Sequence, residues 1–348
     1  MLKEAIAPYT KKNSIIECRL CPRYCKLRPG QIGACRVRKN IDGKLYSLNY
    51  GMVTAMAVDP IEKKPLYHFW PGAPIFSIST FGCNFYCQFC QNWQISQAGL
   101  GEVPSREYTP EQIVALAKRY NTNLIAYTYN EPTIWFEFVL DTAKLAKKEG
   151  MLNVLVTNGY ITIEALEMLA PYIDAANVDI KSLNNDFYRK LIFVPSVQPV
   201  LDATKYMKEH GIHVETTNLK ITGYNDDIEE TRKLARWIVE NLGDDTPLHI
   251  TRFHPDYKML DVPSTPLKVL TKSREVAMEE GLKYVFTGNV LGDPGEHTYC
   301  PSCGKPVIKR FGFDITEWNL TDDNRCKFCG AKVDVIGKYT KSKSHWFL

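Results

Sequence analysis

KKEGMLNVLVT, residues 147–157, closes a helical pattern on a glycine and starts a β-rich run without a spacer. The same join recurs as KEHG (208–211) before IHVETT (212–217), ENLG (240–243) before DDTPLHIT (244–251), and MEEG (278–281) before LKYVFT (282–287). Gly150, Gly211, Gly243 and Gly281 suit the left-handed residue that ends a helix. A helix start is equally legible at Thr109, with Pro110 in the first helical position and Gln112 completing a capping box. Strands alternating with helices imply a parallel sheet. Strands are expected at 75–80, 123–129, 152–157, 175–180, 212–217, 247–253 and 283–287. Six or seven such units favour an α/β fold of full or partial (β/α) TIM-like barrel type, with a doubly wound open sheet as the alternative. Either places chemistry at the carboxyl ends of the strands.

Those ends carry Tyr127, Thr128, Asn130 and Glu131, then Thr157, Asn158 and Gly159, then Asp179 and Lys181, Arg252 and His254, and Gly288 with Asn289. Any one of them could serve a turn or a cap, but five successive polar ends point to a shared site. For Glu131 the plain alternative is a helix-start carboxylate before Pro132. For Asp179 and Lys181 it is a local ion pair.

The 348 residues carry 43 basic and 39 acidic side chains, with 45% hydrophobic content, which excludes a disordered chain or a minimal scaffold. The opening MLKEAIAPYTKKNS lacks the apolar stretch of a secretory signal, which favours a cytoplasmic location. The longest stretch without Asp, Glu, Lys or Arg, Pro65 to Gly101, is broken by Pro71, Pro74 and many amide and hydroxyl residues, so no membrane span is expected.

Eleven cysteines fall into three sets with none left over: Cys18, Cys21, Cys25 and Cys35; Cys83, Cys87 and Cys90; and Cys300, Cys303, Cys326 and Cys329. Without a secretion signal this usage argues for metal chemistry over disulfides. The central three sit in GCNFYCQFCQN after the strand IFSIST, close enough for one metal centre. A cubane iron–sulfur cluster held by three cysteines leaves one iron open, whereas a zinc site wants a fourth ligand, for which His68 is the candidate.

The CxxxCxxC spacing, with Phe89 before the last cysteine, resembles the signature of the radical S-adenosylmethionine (radical SAM) enzymes. The resemblance implies a 4Fe–4S cluster on Cys83, Cys87 and Cys90, with SAM bound at its open iron and cleaved to a 5′-deoxyadenosyl radical that abstracts hydrogen from a substrate. It further implies that Phe89, Asn130, Glu131, Thr157, Asn158, Asp179, Lys181, His254 and Asn289 surround the cofactor. Asn130 stands where the family's glycine-glycine-glutamate motif has a glycine, and Glu131 retains the glutamate. TNG (157–159) and DIK (179–181) resemble segments of the glycyl-radical-enzyme activases. Val156 occupies the position where those activases often carry an acid, which puts their cation site in doubt here.

CPSCG and CKFCG read as two knuckles of a rubredoxin-like zinc ribbon on Cys300, Cys303, Cys326 and Cys329. The amino-terminal set fits zinc and an auxiliary iron–sulfur cluster equally well. Residues 1–39 carry a net +8 against +4 for the whole chain, yet no base-reading helix or nucleic-acid motif accompanies them, so nucleic-acid binding is not favoured. The chain thus divides into a basic four-cysteine module with its lead-in (1–64), a barrel (65–295) and a ribbon module (296–348). From CxxCPxxC through YTYNEP to CPSCG the sequence resembles the radical SAM protein of the AmmeMemoRadiSam system. Members are commonly labelled pyruvate formate-lyase activating enzyme-like and are associated with a Memo-like partner. The substrate is expected to be a partner protein or a small molecule, peptide or RNA, with a ferredoxin or flavodoxin as reductant. The competing class is a non-catalytic zinc-binding adaptor.

Overall fold

The computed structural model describes residues 2–341; the last seven residues of the ribbon module expected over 296–348 lie outside them. Its central sheet has eight strands: β1 (Ala55–Pro60), β2 (Pro74–Ser79), β3 (Leu124–Tyr127), β4 (Leu152–Thr157), β5 (Ala175–Asp179), β6 (His213–Lys220), β7 (Leu248–Arg252) and β8 (Val285–Gly288). Neighbours in the sheet follow chain order from β1 to β8. All pairs from β2 to β8 are parallel, and β1 runs antiparallel to β2. A doubly wound sheet would reverse its order at a switch point. The unreversed order is that of a barrel, and with no ladder between β8 and β1 among the described residues the barrel is partial.

All seven expected strands form. β1 was not expected; it falls in the lead-in of the basic module and adds the edge strand beside β2. The crossover helices are α1 (Pro110–Arg119), α2 (Phe136–Lys148), α3 (Ile163–Leu169), α4 (Gln198–Glu209), α5 (Ile228–Leu242) and α6 (Leu267–Glu279). The capping box at α1 is present with both its hydrogen bonds, Thr109 Oγ1 accepting from Gln112 N and Gln112 Oε1 from Thr109 N. Ile125, Ala126, Val154, Ala175, Ala176, Val178 and Ile250 are fully enclosed, as expected for strands covered on both faces. None of the helices among the described residues is long and apolar enough to cross a membrane.

At one end, short antiparallel strands carry Cys18 to Cys35 and pack on the barrel through a buried ion pair. Arg38 Nη1 lies 2.7 to 2.8 Å from both oxygens of Glu137 on α2, and neither side chain is more than 1% exposed. Glu137 Oε1 also accepts from Ile6 N and Ala7 N. At the other end, three antiparallel strands over 298–318 form a smaller core of Val307, Ile308, Leu320 and Val333 with Tyr284 and Phe286 of the barrel.

Candidate functional site

The loop after β2 carries Cys83, Cys87 and Cys90 into a cavity of about 550 Å³ at the carboxyl ends of the strands. The loop is short of regular hydrogen bonds of its own, and a neighbouring turn supplies them. After β5, Tyr188–Ile192 forms a turn of π-helix closed by Phe193 in the left-handed region at φ 63°. Its carbonyls receive Tyr86 N at Ile192 (3.1 Å) and Gln88 N at Leu191 (3.0 Å). Single π turns recur at functional sites because they release carbonyls from the helical ladder.

Before the loop, Gly82 has φ 88°, and a Cβ there would meet the Cys35 carbonyl oxygen at 2.5 Å. Only glycine fits both the conformation and the approach. Burial pushes the Cys83 thiol well above its ordinary value and Cys87 up to about 12, with Lys181 pulling the latter down. Such thiols ionise by giving their proton up to a metal centre. Among the described residues, the C-terminal four cysteines are the one set whose ligand atoms all lie within 4.8 Å of one another. The central three are not such a set.

Eleven of the twelve expected central residues line this one cavity: the three cysteines, Phe89, Asn130, Glu131, Thr157, Asn158, Asp179, Lys181 and Asn289. The twelfth, His254, stands at the rim, exposed, with Nε2 2.9 Å from the Gln91 side-chain nitrogen. Asn130 Nδ2 donates to Gly82 O at 2.8 Å, tying β3 to the cysteine loop. Glu131 is 1% exposed and uses both oxygens locally: Oε1 accepts from Thr133 N (2.9 Å) and Thr157 Oγ1 (2.7 Å), and Oε2 from Asn158 N (2.7 Å). It thus caps the short 3₁₀ turn Pro132–Trp135 and also joins the ends of β3 and β4. Burial raises its carboxyl pKa against those hydrogen bonds.

Asp179 and Lys181 pair at 3.0 Å, and the Lys181 ammonium lies 5.6 Å from the centre of the Phe89 ring. Asn158 Nδ2 donates to Asn84 Oδ1 at 2.8 Å, and Asn84 Nδ2 to Tyr160 O at 2.8 Å, so two buried amides brace the residue after Cys83.

Sequence reasoning missed Asn84, Lys64 and Tyr129. Asn84 lies inside the quoted cysteine motif and carries no spacing signal of its own. Lys64 comes from before β2, is 1% exposed, pairs with Asp59 at 2.6 Å, and is pulled down to about 8 by burial. Its position at the boundary of the charge-free stretch was the available clue. His68 is not near the central thiols. Its ring bonds Asp334 O (2.9 Å) and Thr298 Oγ1 (3.1 Å), so it holds the C-terminal module to the barrel and completes no zinc site. A larger hollow of about 970 Å³ runs outside the barrel along β1 and holds none of the thiols.

In the C-terminal set, Cys300 and Cys329 Sγ lie 3.6 Å apart, and Cys303 and Cys326 Sγ 3.8 Å. Four thiolates around one zinc at about 2.3 Å stand about 3.8 Å apart, so the set fits a single tetrahedral ion.

The model of the radical SAM superfamily matches residues 77–237. An uncharacterized protein of Methanocaldococcus jannaschii is 48% identical over 96% of this chain and 100% of its own length. The pyruvate formate-lyase 1-activating enzyme of Escherichia coli is 21% identical over 59% of this chain and 89% of its own. Among solved structures, a radical SAM methyltransferase from Sphaerobacter thermophilus matches with a TM-score of 0.51 at 18% identity, over 66% of this chain and 71% of that one, a likeness of fold.

Proposed function

The chain belongs to the radical SAM superfamily, and from that premise we propose that Cys83, Cys87 and Cys90 hold a 4Fe–4S cluster whose open iron binds SAM in the cavity above β2 to β6. The observation that carries this reading is the convergence of three thiols on a cavity lined by the polar ends of successive strands. When bound, the cluster and SAM supply a one-electron cleavage that yields a 5′-deoxyadenosyl radical able to take hydrogen from a substrate.

The chain's own contribution is to hold, shield and orient. Phe85, Phe89 and the buried strand ends keep water from the reacting region, as radical chemistry requires. The π turn and the two amides Asn84 and Asn158 fix the cysteine loop. Lys181 places a buried positive charge beside Cys87, which favours its thiolate. Asn130, Thr157 and Asn289 offer uncharged polar groups suited to the amino, carboxylate and ribose groups of SAM. The ribbon holds zinc in a structural role.

The likeness to an activating enzyme supports a hydrogen abstraction from a partner protein such as a glycyl radical enzyme. A small molecule, peptide or RNA is the second class of substrate, favoured by the two flanking modules. The remaining proposals are a cytoplasmic setting, a ferredoxin or flavodoxin as donor, and membership of the AmmeMemoRadiSam branch with a Memo-like partner.

The test is anaerobic reconstitution with iron and sulfide, then reduction with SAM present. Formation of 5′-deoxyadenosine supports the reading. A protein that binds zinc alone and leaves SAM intact is the adaptor instead.

A further inference from the structure

The amino-terminal set, Cys18, Cys21, Cys25 and Cys35, lies outside the central cavity, and the sequence left its guest open between one zinc and a cluster. The four thiols line a single void with Arg23, Gly33 and Arg38. That void has three properties that bear on its guest.

The first is spacing. No three of these sulfurs lie within 4.8 Å of one another, whereas all four of the C-terminal set do. A tetrahedral zinc draws its thiolates to about 3.8 Å of each other. In a cubane each cysteine binds its own iron, so the sulfurs stand farther apart than around a single ion. Like the central triad, the amino-terminal thiols do not meet that limit.

The second is unpartnered donors. Arg38 is 1% exposed and its Nε has no hydrogen-bond partner, and Arg23 Nη2 is likewise buried without one. Both residues face the void, and a buried guanidinium N–H left without an acceptor is costly. A thiolate-ligated cluster is anionic and offers sulfide and thiolate acceptors at that place.

The third is position. The Cys35 carbonyl presses on Gly82, the residue before Cys83, and Tyr86, between Cys83 and Cys87, donates its hydroxyl to Ala34 O. The guanidinium groups of Arg23 (4.8 Å) and Arg36 (4.7 Å) both lie over the Tyr86 ring. Residues next to a ligand in one set therefore touch residues next to a ligand in the other.

We infer that Cys18, Cys21, Cys25 and Cys35 hold a second, fully cysteine-ligated 4Fe–4S cluster packed directly behind the loop of the first. Unlike the central one, it has no open iron, so it binds no SAM. The only chemistry available to it is to gain or lose an electron.

The decisive variant leaves this module intact: Cys83→Ala/Cys87→Ala/Cys90→Ala in the full chain, reconstituted anaerobically and assayed for iron, acid-labile sulfide and zinc. Retention of about four irons and four sulfides, with one zinc, is the expected result. Two zincs and no iron, or one zinc and nothing else, overturns the inference. Cys21→Ser/Cys25→Ser in the otherwise native chain should halve the iron from about eight to about four while the SAM-dependent change in the central cluster's electron paramagnetic resonance signal persists. If that variant does not fold, the triad variant alone still decides. Because the readout is metal and sulfide content, failure here is distinct from failure to cleave SAM.

Discussion

The two terminal cysteine modules have the same number of ligands and opposite designs. In the C-terminal ribbon the sulfurs already stand at zinc distances, and Cys303 and Cys329 are exposed. In the amino-terminal module Cys18, Cys21 and Cys35 are buried, and its residues Ala34 and Cys35 touch Tyr86 and Gly82 of the central cysteine loop. A small module that folds around its own ion can be attached by a few contacts, whereas one that encloses a larger group beside a reaction centre has to be fixed to it. The attachments reflect this: a salt bridge at 1% exposure on one side, and on the other a histidine and an arginine bonding mostly to backbone carbonyls.

The largest effect should come from between the modules. Cys87→Ala is expected to reduce 5′-deoxyadenosine formation to background, while the ribbon keeps its zinc and its protection from proteolysis. Product formation at the wild-type rate would remove the triad from the mechanism and with it the contrast between core and appendage.

Next is the ribbon itself. Cys303→Ser, or exhaustive chelation of zinc, should unfold residues 298–335 locally, because structural zinc contributes about 10 kcal/mol or more to modules of this kind. Iron content and SAM cleavage should stay at wild-type levels. Limited proteolysis with metal analysis reads both, and a parallel loss of iron would show that the ribbon is not a separate structural unit.

Third is the join on the amino-terminal side. Glu137→Gln removes the carboxylate that pairs with the buried Arg38 guanidinium and should destabilise by about 3–5 kcal/mol in urea unfolding. Arg38→Met/Glu137→Leu, which removes both charges, should recover much of that loss. If Glu137→Gln is silent, the module is not held to the barrel through this pair.

Much of this architecture is legible in the sequence because it is periodic. The four helix–glycine–strand joins located β4, β6, β7 and β8, and the capping box located α1, since local hydrogen bonding and backbone conformation dictate those features. β1 was missed because AMAVDP owes its strand state to pairing with β2, a tertiary effect with no local signal. The π turn at Tyr188–Ile192 was missed for a similar reason: its carbonyls are shaped by what the cysteine loop demands.

In the site, residues at strand ends could be read from topology, and cysteines from spacing. Which polar groups face the cavity and which serve the scaffold could not. Glu131 illustrates this, since its carboxylate both caps a turn and bridges β3 to β4. His68, weighed as a zinc ligand, proves to be an anchor because its side chain leads away from the thiols toward Asp334 and Thr298.

That anchor gives the smallest and most specific prediction. Burial pulls the His68 imidazole down from 6.5 to about 3, with Glu215 opposing and Arg310 reinforcing the shift. The folded chain holds this ring neutral, with Nδ1–H donated to Asp334 O and Nε2 accepting from Thr298. Below pH 6.5 the unfolded state binds a proton that the folded state refuses, so stability present above 6.5 is lost as pH falls toward 3, by up to about 1.4 kcal/mol per unit. Glu62 works the other way: burial raises it from 4.5 to about 7, and the proton it holds when folded favours the fold as pH falls through that range. The two oppose each other over part of this range, so the measurement has to be a difference. The hydrogen-exchange protection factor at 333–336, where Ile336 N bonds His68 O at 2.8 Å, should fall more between pH 7.5 and 5.5 in wild type than in His68→Asn. An equal fall in protection in the two would show that the ribbon's hold on the barrel does not depend on keeping that ring uncharged.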